Sequence, residues 1–140
     1  MAERTFRLEI ITPDHVALTE DQVVSLVAPG AEGYLGVLAN HSALMTALAV
    51  GELDIRRADG TTEAIAVSGG FMEVFENRVT VLADCAELAC EIDVERAEAA
   101  LHRAENLLAS HAPEVDVDRA QLALARAVNR LRVARRGSLQ

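Results

Sequence analysis

Arg96 and Arg103 stand seven residues apart, Arg126 and Arg130 four apart, in a chain whose only basic side chains besides histidine are arginines. Both spacings put side chains on one face of a helix. If the two segments form an antiparallel hairpin turning near Pro113, facing residues have numbers summing to roughly 226. Arg96 then lies opposite Arg130, and Arg103 lies within a turn of Arg126; Arg119 shares the face of Arg126 and Arg130. Glu98, His102 and Glu105 fall on a separate stripe, so four guanidinium groups converge without acids of their own. Such a cluster calls for an anion or an acidic partner. Asp93, three residues before Arg96, could orient that guanidinium or meet a ribose hydroxyl. A polyphosphate nucleotide fits this set.

A plainer reading stands beside it. Ile92-Asp93-Val94-Glu95-Arg96-Ala97 recurs as Val115-Asp116-Val117-Asp118-Arg119-Ala120, so part of the phrase is helix-start chemistry, with Asp93 and Asp116 as N-caps. Arginine side chains also fan into solvent at little cost. No glycine-rich phosphate loop supports the nucleotide: Gly30, Gly33 and Gly36 lie among strands, where turns are expected. His41-Ser42 sits in a loop without an acid/base partner, so a contact role is expected rather than catalysis. The chain reads as a regulatory or structural protein, not an enzyme. Cys85 and Cys90 lack metal-ligand spacing and read as buried small hydrophobes; no metal site is expected.

Two kinds of element must position these residues. Up to residue 91 the chain is written in strands and turns. Phe6, Leu8 and Ile10 alternate with Arg7 and Glu9. Short strands follow at His15–Leu18, Gln22–Ala28, Tyr34–Leu38, Leu44–Leu48, Glu52–Arg56, Ala64–Val67, Phe71–Phe75 and Val79–Leu82. Breaks fall at Pro29-Gly30, Asp59-Gly60, Gly69-Gly70 and Asn77-Arg78. Eight or more short strands predict a β-sandwich or flattened barrel of about 85 residues. From Asp93 the period becomes helical. Val94, Ala97, Leu101, Ala104 and Leu108 form one stripe; Val117, Ala120, Leu124, Ala127, Leu131 and Ala134 form the other. Large residues alternate with alanine, which predicts two interlocking antiparallel helices, each about 27 Å long. The organisation expected is a β-sandwich over residues 1–91 and a helical hairpin over 92–140. The hairpin's stripe is narrow, so it must lean on a surface and can exchange between positions.

Bulk properties narrow the function. At 140 residues, 51% hydrophobic and 25% charged, the chain is globular. A net charge of −9 and 3% aromatic content argue against nucleic-acid binding. Charge is uneven: through Glu91 there are 15 acids and 5 arginines, whereas Arg119–Gln140 holds 6 arginines and no acid. A basic last helix suits an acidic partner or an anion. No apolar run spans a bilayer, and Met1–Arg7 has no signal-peptide core, so membrane association is expected only through partners.

Three motifs in order resemble one family. They are Glu32-Gly33-x-x-Gly36-Val37-Leu38 with His41, Val67-Ser68-Gly69-Gly70-Phe71-x-Glu73-Val74, and Ile92-Asp93-x-x-Arg96-Ala97. Together with the hairpin they resemble the epsilon subunit of bacterial F-type ATP synthase, from Thr5 to about Val133. The resemblance implies a non-catalytic central-stalk subunit that couples the gamma subunit to the c-ring, at the cytoplasmic face of a bacterial membrane. Gly33, Tyr34, Gly36, Leu38 and His41 would face the c-ring; Ser68, Gly69, Gly70 and Phe71 would lie on the gamma side. It implies a hairpin that lies folded on the sandwich or extends into the alpha/beta catalytic head to block ATP hydrolysis. Arg132, Arg135 and Arg136 would there meet an acidic catalytic-subunit surface. No cofactor is required, but ATP would be a regulatory ligand held by Glu87, Ile92, Asp93, Arg96, Ala97, Arg103, Arg126 and Arg130, with Arg119 assisting. The chain departs from the family at Ala39-Asn40, where Pro-Gly is common, and at Tyr34, where an acid is frequent. The alternative is a free-standing nucleotide sensor or adaptor outside any rotary complex.

Overall fold

The computed structural model describes residues 4–138. Met1–Glu3 of the leader segment and the last two residues of the hairpin range lie outside them. Seven strands come first: β1 Phe6–Ile11, β2 Val16–Gly30, β3 Gly33–Leu38, β4 Leu44–Arg57, β5 Thr62–Phe75, β6 Arg78–Ala83 and β7 Ala86–Leu88. A 3-10 turn at Ala89–Glu91 leads into helices α1 Val94–Ser110 and α2 Val117–Ser138. This is the expected class, a β-sandwich followed by a two-helix hairpin.

Alternation builds the sheet. In β1, Phe6, Leu8 and Ile10 are buried while Arg7 and Glu9 are not; in β6, Val79, Val81 and Ala83 point inward. The strand order is β1-β6-β5-β4-β2-β3, and β1 also pairs with β2, which closes the sheet on itself as a flattened barrel. β1 runs parallel to β6 and antiparallel to β2. Leu8, Ile10, Leu26, Leu53, Ile65 and Met72 fill the centre, each almost fully buried.

Three pairs of expected short strands are single long ones. β2 joins His15–Leu18 to Gln22–Ala28, passing through a register shift opposite Phe6–Leu8. β4 and β5 likewise each fuse two segments. The reason is clearest in β5, where Gly69-Gly70 was expected to end a strand. Both take left-handed φ, 78° and 120°. A side chain at Gly70 would collide with the Leu82 carbonyl. The pair bends the strand and leaves it continuous: before the bend β5 pairs with β7, after it with β6. Asn77-Arg78 is a real break, because Glu76 and Asn77 at φ 48° and 62° make a two-residue hairpin turn. Asn77 fixes it by donating to the Thr5 carbonyl at 2.9 Å and accepting from the Asn40 amide at 2.8 Å.

Both helices start where the doubled phrase places them. Asp93 accepts the Arg96 amide and Asp116 the Arg119 amide, each at 3.1 Å. α1 ends at His111, in the left-handed region at φ 51°. α2, with 22 residues, is about 33 Å long and outruns α1, correcting the expectation of equal helices. The alanines hold the seam: Ala97, Ala104, Ala120 and Ala127 are all buried. Val94 and Val117, expected to lead the stripes, are the first residues of their helices and are exposed. Cys85, in the link between β6 and β7, and Cys90, within the 3-10 turn, are also exposed and do not serve as core residues. Replacing Ala127 by leucine should overpack the seam. We expect a loss of about 1–3 kcal/mol in urea unfolding, with Ala99→Leu on the exposed side of α1 as a near-neutral control.

Candidate functional site

α2 is the helix that lies on the sandwich, against β5, β4 and the 3-10 turn. Its apolar seat is small: Ala64 and Ala66 of β5 with Ile92 and Val133, flanked by Ala89 and Ala134. Polar contacts do the aligning. Asn129, buried in the middle of α2, donates its side-chain amide to the carbonyls of Gly51 at 2.8 Å and Val67 at 3.4 Å. Arg130 pairs with Glu87 in β7 at 2.6 Å. Arg136 pairs with Glu52 and, at 3.3 Å, with Asp54, both on β4. Gly137 permits the last close approach, since a Cβ there would stand 2.7 Å from that of Ala89.

Beside this seat lies a cleft of about 560 Å³ between the hairpin and the end of the sandwich. Glu87 and Glu91 line it from one side, Asp93, Arg96, Ala97, Ala100 and Arg103 from α1, and Arg130 from α2. The expected residues Glu87, Asp93, Arg96, Ala97, Arg103 and Arg130 are therefore brought together. The others are not. Ile92 turns into the apolar seat, where it anchors the residue after it, Asp93. Arg126 lies outside the cleft, in an adjoining small cavity lined also by Glu87, Arg130, Ser68 and Asn129, where its Nε is buried without a hydrogen-bond partner. Arg119 lies at the hairpin tip beside Leu107 and Ala123.

The charge of the cleft also differs from the expectation of arginines without acids. Three guanidinium groups face three carboxylates, Glu87, Glu91 and Asp93. Each acid is already held: Glu87 by Arg130, Glu91 by the Leu88 amide at 3.2 Å, Asp93 by its cap. Among the described residues Arg96 and Arg103 make no ion pair, so these two carry the attraction for an anion.

The remaining expected contact residues divide. Tyr34 stays 60% exposed but receives the Glu52 amide at its hydroxyl, 3.3 Å away, and borders a groove against Leu124 and Arg132 of α2. Leu38 and His41 lie at the far end of β3, away from that groove; the His41 ring bonds the Ser42 carbonyl at 2.7 Å. Ser68 is buried under α2, whereas Phe71, three residues on, faces outward opposite Leu82. With Met45 and Phe75 they leave four large apolar side chains exposed on one face. Asn129, Glu52 and Asp54 escaped sequence reading. The signal for Asn129 was its isolation in an alanine-, leucine- and arginine-rich helix.

The arrangement defines a two-part protein, a β-sandwich and a helical hairpin, with a ligand-sized cleft lined from both parts. Residues 5–89 match the family described as ATP synthase, Delta/Epsilon chain, beta-sandwich domain, and residues 91–135 match its long alpha-helix domain. The chain belongs to this ATP synthase delta/epsilon family. It is 56% identical over 109 residues to the ATP synthase epsilon chain of Pelotomaculum thermopropionicum, covering 78% of this chain and 80% of the relative. Against the epsilon chain of Carboxydothermus hydrogenoformans it is 50% identical over 113 residues, covering 81% and 82%. A chain in the Euglena gracilis mitochondrial ATP synthase structure, described as OSCP/F1/c-ring, superposes with a TM-score of 0.78 at 26% identity, covering 97% of this chain and 82% of that one. No helix among the described residues is long and apolar enough to cross a membrane.

Asn129→Leu tests the seat. It strands two buried carbonyls, so the arm should dock more weakly by about 1–3 kcal/mol. The loss should be read as faster hydrogen exchange along α2, with β1 and β6 unchanged.

Proposed function

We propose that this chain is the non-catalytic epsilon subunit of the central stalk in a rotary F-type ATP synthase at the cytoplasmic face of a bacterial membrane. On this reading residues 1–91 grip the rotor and residues 92–140 form a movable arm. The exposed strip of Met45, Phe71, Phe75 and Leu82 suits an apolar partner surface such as gamma. The end of β3 at Leu38 and His41 is the candidate c-ring contact. Family membership over both parts of the chain supports the role.

The observation that carries the regulatory part is the composition of the cleft. Its lining comes from both helices and from the sandwich side, and its two unpaired guanidinium groups, Arg96 and Arg103, face one volume of nucleotide size. ATP bound there would favour the docked arm alone. One ligand at a hundredfold excess over its Kd stabilises the state that binds it by about 2.7 kcal/mol. When ATP falls, the arm is released toward the alpha/beta head and slows hydrolysis. Release also sets Arg136 free from Glu52 and Asp54, so that Arg132, Arg135 and Arg136 can meet an acidic surface of a catalytic subunit.

Calorimetric titration of the isolated chain with ATP should show one site, weakened at least tenfold by Arg96→Ala or Arg103→Ala. Arg119→Ala should leave it unchanged, because Arg119 lies outside the cleft. In the assembled complex, removal of residues 93–140 should raise ATP hydrolysis while the complex still assembles. Unchanged hydrolysis would exclude the inhibitory role, and failure to co-purify with the rotor would exclude the stalk role.

A further inference from the structure

Glu52, Asp54 and Arg56 alternate along one face of β4, the face on which the last turns of α2 rest. Opposite the two acids on β5 stand Ala66 and Ala64, which supply neither charge nor a hydrogen-bonding side chain. Arg136 of α2 is placed between the acids, bonded to Glu52 Oε2 and 3.3 Å from Asp54 Oδ1. Glu52 is 8% exposed, and its second oxygen, Oε1, is buried without a partner. Two carboxylates therefore share one guanidinium under a helix end that keeps water from one of them. A buried ionised oxygen left unpaired is costly, and a proton on it removes the cost.

We propose that Glu52 and Asp54 hold one proton between them beneath the last turn of α2, so that seating of the arm's end is coupled to proton uptake. The coupling belongs to the arm–sandwich contact and is independent of whatever ligand the cleft takes. Burial first, then the hydrogen bond and charge of Asp54, push the Glu52 carboxyl from its ordinary value of 4.5 up to about 7; Arg136 opposes them without cancelling them. Among the described residues, Arg56 stands farther along β4, and Arg132 and Arg135 stand beside Arg136 on α2. The Tyr34 hydroxyl is spent on the Glu52 amide. An acid whose pKa is raised by docking is protonated in both states in strong acid. Between the two values it is protonated only when docked. Docking is therefore firmest in acid, weakens as pH rises toward about 7, and is constant above that.

Hydrogen exchange of the Val133 and Ala134 amides, corrected for intrinsic exchange rates, tests this on the intact chain between pH 5 and pH 8. Protection in the wild type should fall by up to about tenfold per pH unit until neutrality, the limit for one proton, and then level off. Glu52→Gln, which mimics the protonated acid, should keep the acid-side protection and lose the slope. Amides in β1 and β6 should show no such dependence in either protein. Flat protection in the wild type, or the same slope in Glu52→Gln, would overturn the proposal.

Discussion

The position of α2 on the β4–β5 face decides everything else in the molecule. The apolar part of that contact is four buried residues, all of them small or β-branched, and at roughly 25 cal/mol per Å² so little area cannot anchor a 22-residue helix by itself. Orientation comes from Asn129, whose amide spans carbonyls of two neighbouring strands, and from ion pairs at Arg130 and Arg136 on either side of it. Alanines at 64, 66 and 89 and glycine at 137 bring the backbones near enough for those bonds to form. A contact built this way is specific in register and modest in strength.

The same logic explains the cleft. A cluster of arginines without acids would repel itself and weaken the contact between hairpin and sandwich. Glu87, Glu91 and Asp93 prevent this by balancing the charge, and each is tied to a donor of its own. Arg96 and Arg103 stay exposed, where water stabilises them at little cost. The cleft can thus stand empty without falling apart.

Local chemistry was legible in the sequence, and tertiary chemistry was not. The caps at Asp93 and Asp116, the alanine seam and the alternation in β1 follow from nearest-neighbour rules and recur in the structure. Facing-residue arithmetic brought Arg96 and Arg130 to one cleft but failed for Arg126. It fixes which side of a helix a residue occupies, not which way a long side chain then turns. The fusion of two short strands into β5 was hidden because a glycine pair reads alike whether it ends a strand or bends one. Glu52 and Asp54 looked like the solvent face of an ordinary strand. Only the return of α2, more than 80 residues later, makes them an interior pair.

The bend at Gly69-Gly70 places two obligations on one strand. Ahead of it, Val67 takes a hydrogen bond from Asn129 and Ser68 lies under the arm; just past it, Phe71 opens the outward apolar strip. Ser68 and Phe71 are three residues apart, about 10 Å of backbone. The strand is thus a shared beam, loaded on one side by the arm and on the other by whatever covers the strip. A beam that short, stiffened by pairing with β4 over its whole length, leaves little slack between its two loads.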